Sequence, residues 1–591
     1  MAFLASFIRS MRQPRRRSPR GWVSSAFVLA ACSIAPPLLA QTSPPTDSLP
    51  PTLNPLPQDR PEPPELPELE PLPPPEQLLE PSVPLVPGET DEAIPETINV
   101  EGFDVIGSTI FSAEQFAKIL QPYTGEVSFA QLLQARSAVT QLYVDNGYIT
   151  TGALIPPQTL EDGFVTIRVI EGELEAIEVT GTERLNSSYV RSRLRIATEK
   201  PLNVDRLLEA LQLLQLDPLI QNLSAELSAG SRPGQNLLDV AIVEADSFSV
   251  ETILDNGRSP SVGSFRRRGR VREGNLFGLG DSISLTYTNT DGSNEIEAGY
   301  AIPINPRNGT IELNYSWTSS EIIEEPFDRL DIEAESRDYD LTFRQPVLRT
   351  PKRELALGLT ASRRESDTSL LGVDFPLSLG ANDDGETRIS ALRFFQEWTQ
   401  RGAEEVFAAR SQFSLGLNAL DATVNSVVPD SRFLAWRGQV QWLRLLAEDT
   451  SLLLRSDVQL ATTSLVPLEQ FGLGGQESVR GYRQDTLLTD NGIFASAEVR
   501  VPIYRLSGDR GVLQISPFVD FGTTWNTDSD ADRAAGDPNT LVSVGVGLQF
   551  ELGDRLSARI DWGIPLVDVE DREDETLQEE GIYFSLRWMP F

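Results

Sequence analysis

The side chains that could do chemistry in this chain are charged rather than nucleophilic. It has no histidine, and its only cysteine is Cys32. That removes Ser-His-Asp and Cys-His sites, imidazole zinc sites and histidine acid–base work. Carboxylates and guanidiniums remain. The least ordinary setting for one is QESVRGYRQD, from Gln476 to Asp485, inside the Gly-rich stretch FGLGGQESVRGYRQD. A guanidinium is a rigid planar fork that can hold a carboxylate through two parallel hydrogen bonds. Arg480 sits among Val479, Gly481, Tyr482 and Arg483, which is more than a loop tip in water needs. The plain alternative is a surface loop with a glycine turn, so the elements around it must decide.

Composition narrows the partners. Net charge is −36 over 591 residues. Nucleic acid is not an expected partner, because a binder needs basic patches to displace counterions. No nucleotide motif is present, and neither a cofactor nor a metal is expected. Hydrophobic residues make up 40% of the chain, low for a helical membrane protein but compatible with a barrel that has a polar lumen.

The N-terminus reads as an address. Arg9, Arg12, Arg15, Arg16, Arg17 and Arg20 precede an apolar run from Trp22 to Ala31 and a small-residue end at Ala40. This is the pattern of a secretory signal peptide over 1–40. Leu29-Ala30-Ala31-Cys32 leaves lipoprotein cleavage as an alternative. Residues 41–96 are rich in proline and acids and read as an extended linker, with room for a short helix near Glu76–Glu80.

Two small α+β modules follow, over 97–172 and 173–246. In the first, Ile98–Phe103 reads as a strand, Ala113–Leu120 and Phe129–Asn146 as helices, and Phe164–Ile170 as a half-buried strand. In the second, strands at Leu174–Val179 and Leu237–Val243 flank helices at Ser187–Leu194 and Val204–Leu214. The series Gly147-Tyr148, Pro157-Gln158, Asp162-Gly163 and Glu171-Gly172 closely resembles the polypeptide-transport-associated (POTRA) domains of the haemolysin secretion/activation family. That family comprises outer-membrane transporters of two-partner secretion. The resemblance implies periplasmic domains that capture an unfolded secreted partner, by strand addition to a sheet edge beside an apolar groove.

From 247 to 591 the chain alternates at period two. Ile283, Leu285 and Tyr287 point one way and Ser284, Thr286 and Thr288 the other; Ile311–Trp317 and Tyr339–Phe343 repeat the plan. About sixteen strands are expected, near 248, 265, 282, 294, 309, 336, 354, 387, 404, 432, 451, 492, 512, 541, 555 and 581. Connections after even strands (PINPRNG, QRGAEE, LAEDT, ELGD) look short. Those after odd strands are mostly long and acidic: 319–335, 365–386, 464–491, 526–540 and 568–580. That asymmetry belongs to a transmembrane antiparallel barrel with lipid outside it. The two POTRA-like modules precede strand one and so share the short-turn, periplasmic side. Ile582, Phe584, Leu586 and Trp588 form an apolar face near the C-terminus. The terminal Phe591 resembles the signal read by the barrel assembly machinery, although Met589-Pro590 puts it out of phase.

Within the same family resemblance, Val479-Arg480-Gly481-Tyr482 looks like the loop-six signature and follows the eleventh strand. Phe518-Val519-Asp520-Phe521-Gly522 looks like the strand-thirteen motif. The resemblance implies that loop six folds into the lumen and that Arg480 meets Asp520. Reversing both charges should then restore part of what either single change loses. The function implied is an outer-membrane transporter, not an enzyme, that takes an unfolded exoprotein from the periplasm through its barrel. Folding of the cargo outside would supply the energy. The alternative is a factor that inserts other barrels into the outer membrane, although such factors typically carry more POTRA modules than two.

Overall fold

The computed structural model describes residues 97–159, 162–506, 511–528, 539–569 and 576–590. The expected signal peptide, the linker with its short helix, and Phe591 lie outside these.

The first module opens with short strands at Ile98–Val100 and Gly102–Ile106. Its helices, Ala113–Leu120 and Phe129–Asp145, start with capping boxes, Ser112 with Gln115 and Ser128 with Gln131. Each box satisfies amide donors that a helix start leaves open. Gly147, at φ +83°, ends the second helix in the left-handed conformation that favours glycine. The central strand Phe164–Ile170 pairs in parallel with Gly102–Ile106 and antiparallel with Gly152–Leu154. The second module has strands Glu173–Thr180, Gln235–Glu244 and Ile220–Ala229, in that sheet order, under helices Ser187–Ala197 and Val204–Gln215. The strand Ile220–Ala229 escaped the sequence reading because its alternation is weak. Its stretch Gln221–Ser228 is mostly polar and largely exposed.

Sixteen long antiparallel strands then close into a barrel. Strands 1 to 8 are Phe248–Asp255, Arg266–Glu273, Ser282–Asn289, Ser293–Pro303, Thr310–Glu321, Ile332–Arg349, Arg353–Leu370 and Glu386–Arg401. Strands 9 to 16 are Glu405–Leu417, Leu434–Ala447, Thr450–Ala461, Asn491–Arg505, Gly511–Trp525, Thr540–Leu552, Leu556–Pro565 and Ile582–Trp588. Val373–Asp374 adds a short flap on strand 7. Among the described residues no helix is long and apolar enough to cross a membrane; the crossing is made by strands.

Side-chain direction follows the alternation. Leu285, Leu313 and Leu341 are exposed outward, at 55%, 55% and 48%. Their neighbours Thr286, Asn314 and Asp340 turn inward. On strand 6 the outward apolar residues run from Tyr339 to Val347, about 26 Å along the strand at the usual rise. At a barrel's usual tilt that spans about 20 Å, close to the apolar band of an outer membrane.

Two expected acidic loops are strand at their ends. Strand 5 runs to Glu321, strand 6 starts at Ile332, and strand 7 runs to Leu370. Here the outward residues are charged: Glu335 with Arg337, Arg363 with Glu365, and Glu386 with Arg388 are ion pairs. These strand ends rise past the apolar band into water, so polar side chains on both faces concealed the period.

The second module docks on the short-turn rim. Arg184 reaches Ser247 Oγ at 2.9 Å and the Asn275 carbonyl at 3.2 Å. The Asn186 amide donates to Gly278 O at 2.9 Å, and Arg193 Nε to Asn308 Oδ1 at 2.9 Å. The turn 274–281, longer than its neighbours on this rim, makes part of this contact.

Candidate functional site: loop six in the barrel lumen

Loop six, residues 462–490, enters the lumen as a small hairpin in which Phe471–Leu473 pairs with Leu487–Thr489. Its tip turns at Gly474 and Gly475, whose φ values of +109° and +102° a side chain would resist. Phe471, Leu473, Val479 and Tyr482 pack with Phe494 and Leu541 of the wall. Gly522 makes room for this, since a Cβ there would lie 2.4 Å from Leu473 Cδ1.

Arg480 is at the centre. Its Nε donates to Asp520 Oδ2 at 2.8 Å and its Nη2 to Asp520 Oδ1 at 2.9 Å. Its own amide also donates to Asp520, at 3.2 Å. Both side chains are fully buried. The guanidinium carbon stands 3.4 Å from the ring centre of Phe518, a desolvated cation–π contact. Phe518, Asp520 and Gly522 occupy alternate positions of strand 13, so all three face inward. Ser496 of strand 12 donates to Asp520 Oδ1 at 2.6 Å.

The pair belongs to a larger cluster that the sequence reading missed. Arg480 Nη1 also meets Glu498 at 2.8 Å and Asp561 at 3.5 Å. Arg559 joins the same two carboxylates, at 2.7 and 2.6 Å, and Arg500 reaches Glu498 at 2.8 Å. Three arginines face three carboxylates, so the cluster is formally neutral, which lets so many charges share a closed space. Alternation on strands 12 and 15 places Glu498 and Asp561 inward, but a one-strand pattern does not say which of many inward charges a distant loop selects.

The neighbours of Arg480 reach further strands. Tyr482 hydroxyl contacts Val542 O at 2.8 Å and Val567 O at 3.1 Å. Gly481, at φ +98°, donates its amide to the Tyr583 hydroxyl at 3.1 Å, and that hydroxyl donates to Tyr482 O. Gly481, Gly563 and Gly581 stack backbone on backbone: a Cβ on Gly563 would lie 2.6 Å from Arg480 C and Gly481 N. Arg483, one turn on, pairs with Glu324 and with Glu579, the latter at 3.4 Å, outside the lumen cluster.

The POTRA motif residues serve the first module's fold. Glu171 is buried and accepts from the Thr109 amide at 2.6 Å and hydroxyl at 2.7 Å. Gln158 clips its loop to the backbone of Thr166 with bonds of 2.9 and 2.8 Å. Asp162 and Gly163 turn the chain at positive φ. Tyr148 packs edge-on against Tyr143. Gly172 lies against Thr150, and its carbonyl accepts from Leu202 of the second module at 2.8 Å. Pro157 is exposed and makes no polar contact of its own among the described residues.

With this arrangement in view, comparison with known proteins is decisive. Residues 234–550 match the model of the haemolysin secretion/activation proteins ShlB/FhaC/HecB, and residues 98–172 match the ShlB-type POTRA domain. The chain belongs to the haemolysin secretion/activation family. Relatives include the heme/hemopexin transporter protein HuxB of Haemophilus influenzae (strain 86-028NP), 23% identical over 78% of this chain and 82% of HuxB. The outer membrane transporter CdiB of Dickeya dadantii (strain 3937) is 23% identical over 74% of this chain and 77% of its own. The structure of CdiB from Escherichia coli superposes with a TM-score of 0.64 at 19% identity, covering 86% of this chain and 93% of that one; this likeness speaks to the fold. The protein is therefore an outer-membrane transporter of the two-partner secretion type, with its POTRA domains in the periplasm. The alternative of a barrel-inserting factor gives way to it.

Proposed function

We propose that this transporter takes an unfolded exoprotein from its two periplasmic domains through the lumen, and that loop six, latched by Arg480 to Asp520, holds the conduit in one shape during transit. The supporting observation is the bidentate contact at 2.8 and 2.9 Å in the lumen of a closed barrel. One arginine fixes a long loop at a single depth, and no catalytic geometry is needed. Capture would use a free sheet edge of the periplasmic modules, such as Gly152–Leu154 or Ile220–Ala229. The outward residues Ile582, Phe584, Leu586 and Trp588 face lipid, and the last strand is the part offered to the barrel assembly machinery. Cargo folding outside the cell would pull the chain through.

Co-expression with a candidate exoprotein encoded beside this chain tests the reading. Deleting residues 98–246 should abolish secretion while leaving a conducting pore in planar bilayers. Depletion of other outer-membrane barrels, with secretion intact, would overturn it.

A further inference from the structure

Most lumen-facing arginines of this barrel are spent on a carboxylate. Arg344 meets Glu354 at 2.6 Å, Arg393 meets Glu469 at 2.6 Å, Arg437 meets Asp457 at 2.7 Å and Arg559 meets Asp561 at 2.6 Å. Strand 2 departs from this rule. Its sequence, RRRGRVRE, places Arg266, Arg268, Arg270 and Arg272 on one face. Pairing fixes which face: Val271 lies opposite the outward Leu285, and Arg272 opposite the inward Ser284. Only Arg266, the uppermost, has an ion pair, with Asp255 at 3.0 Å. Arg268, Arg270 and Arg272 form no ion pair among the described residues, and Arg268 Nε is buried without a partner. Arg270 and Arg272 are exposed to the lumen.

Four inward carboxylates stand nearby, Glu251, Glu295, Glu297 and Glu312, and none is without an interaction of its own. Glu251, directly across from Arg270, is held by Arg587. Glu295 is taken by Arg258 at 3.8 Å. Glu312 acts on Arg272 at a distance, while accepting from Asn314 at 2.9 Å. Strand 3 presents only the hydroxyls of Ser284, Thr286 and Thr288 beside the row.

Position gives the row its meaning. Its lower end adjoins Glu273, which pairs with Arg184 of the second POTRA domain at 3.3 Å. Its upper end reaches loop six: a Cβ on Gly257 would lie 2.7 Å from Gln476 Oε1 and 3.6 Å from Arg266 Nη2. A polypeptide leaving the POTRA domains for the lumen meets Arg272 first. Alternate arginines on a strand are about 6.7 Å apart, which is also the repeat of alternate side chains on an extended chain.

We propose that Arg268, Arg270 and Arg272 form an anion track that binds acidic side chains of the extended exoprotein as it enters the barrel. This rests on the transporter reading and adds the charge class of the segment recognised. The track guides without trapping, because the contacts at Arg270 and Arg272 are wet and partly screened.

The test uses the full-length chain in neutral detergent and a fluorescent decaglutamate peptide as probe, with decalysine as comparison. Decaglutamate should bind in a salt-sensitive way and decalysine should not. R268Q/R270Q/R272Q should weaken binding by about tenfold or more, about threefold for each of the exposed Arg270 and Arg272. R268K/R270K/R272K should restore most of it, and R363Q/R388Q on the outer wall should leave it unchanged. Equal binding by the triple glutamine variant, or equal binding of decalysine, would overturn the track. If the triple variant does not assemble, as judged by heat-modifiable gel mobility, single R270Q should still show a partial loss; an unchanged affinity there overturns the proposal. Secretion by the unaltered chain separates the two readings. A chain that secretes but binds no decaglutamate lacks the track, and one that secretes nothing is not the transporter proposed.

Discussion

Arg393 of strand 8 holds Glu469 of loop six through two hydrogen bonds, Nη2 to Oε1 at 2.6 Å and Nη1 to Oε2 at 2.9 Å. Arg364 of strand 7 adds a contact at 3.3 Å, and all three side chains are largely buried. The loop is thus fixed twice with opposite polarity. Its carboxylate is gripped by strands 7 and 8, and its guanidinium grips strands 12, 13 and 15.

Glu469→Gln should therefore free the near limb of the loop while leaving Arg480 seated. Removing one partner of a buried ion pair costs about 3–5 kcal/mol, because the other charge stays desolvated. The expected outcome is faster chymotrypsin cleavage after Phe471, in the near limb, in outer-membrane vesicles, with secretion reduced. Unchanged cleavage would mean that the second anchor does not hold the loop.

At Arg480 the structure alters what a charge swap should do. A lone pair would tolerate reversal at both ends. Here Asp at 480 would face Glu498 and Asp561 as well as the new arginine at 520. Arg480→Asp with Asp520→Arg should therefore secrete no better than Arg480→Asp alone. Arg480→Lys keeps the charge but loses the fork and the Phe518 face, and should fall between wild type and Arg480→Ala. Secretion yield normalised to assembled barrel reads both. Full rescue by the swap would show that Glu498 and Asp561 contribute little.

The sequence carried the barrel because lipid outside and water inside impose an alternation that repeats in every strand. Starts and ends were legible wherever the outward face is apolar, and failed at Glu335, Arg337, Arg363 and Glu365, where the strand leaves the membrane. Val479–Tyr482 and Phe518–Gly522 stood out as local strings. Glu469, Arg559 and Tyr583 did not, because the partner each of them meets is set only by barrel closure. Nor does any pattern within strand 15 announce that Gly563 lies under Gly481.

That glycine contact makes a prediction independent of charge. Gly563→Ala places a methyl 2.6 Å from the backbone of Arg480 and Gly481. The obstacle is backbone, so no side-chain rotation relieves it, and overpacking of this kind costs about 1–3 kcal/mol. The variant should expose loop six to trypsin after Arg480 and Arg483 with every charge intact. A barrel that assembles and keeps loop six protected would show that the stack has room to shift.

The first POTRA domain offers a pH test outside the membrane. Tyr143 is fully buried, with its hydroxyl in hydrogen-bond contact with Ser108 Oγ at 2.6 Å and Glu171 Oε1 at 3.2 Å. Burial, with the Glu171 carboxylate adding to it, pushes the phenol from 10.0 up to about 12. Between those values the folded domain keeps a proton that the unfolded chain has lost. Stability is then flat below about pH 10 and falls as pH rises toward about 12, since the unfolded state binds fewer protons there. Amide hydrogen exchange in the helix Phe129–Asp145, compared between about pH 9 and pH 11.5 after correction for intrinsic rates, should show protection lost at the higher value. Tyr143→Phe removes this ionisation and should flatten the difference, at the cost of its two hydrogen bonds. Equal pH sensitivity in the Phe variant would assign the loss to another group and leave Tyr143 as a packing residue alone.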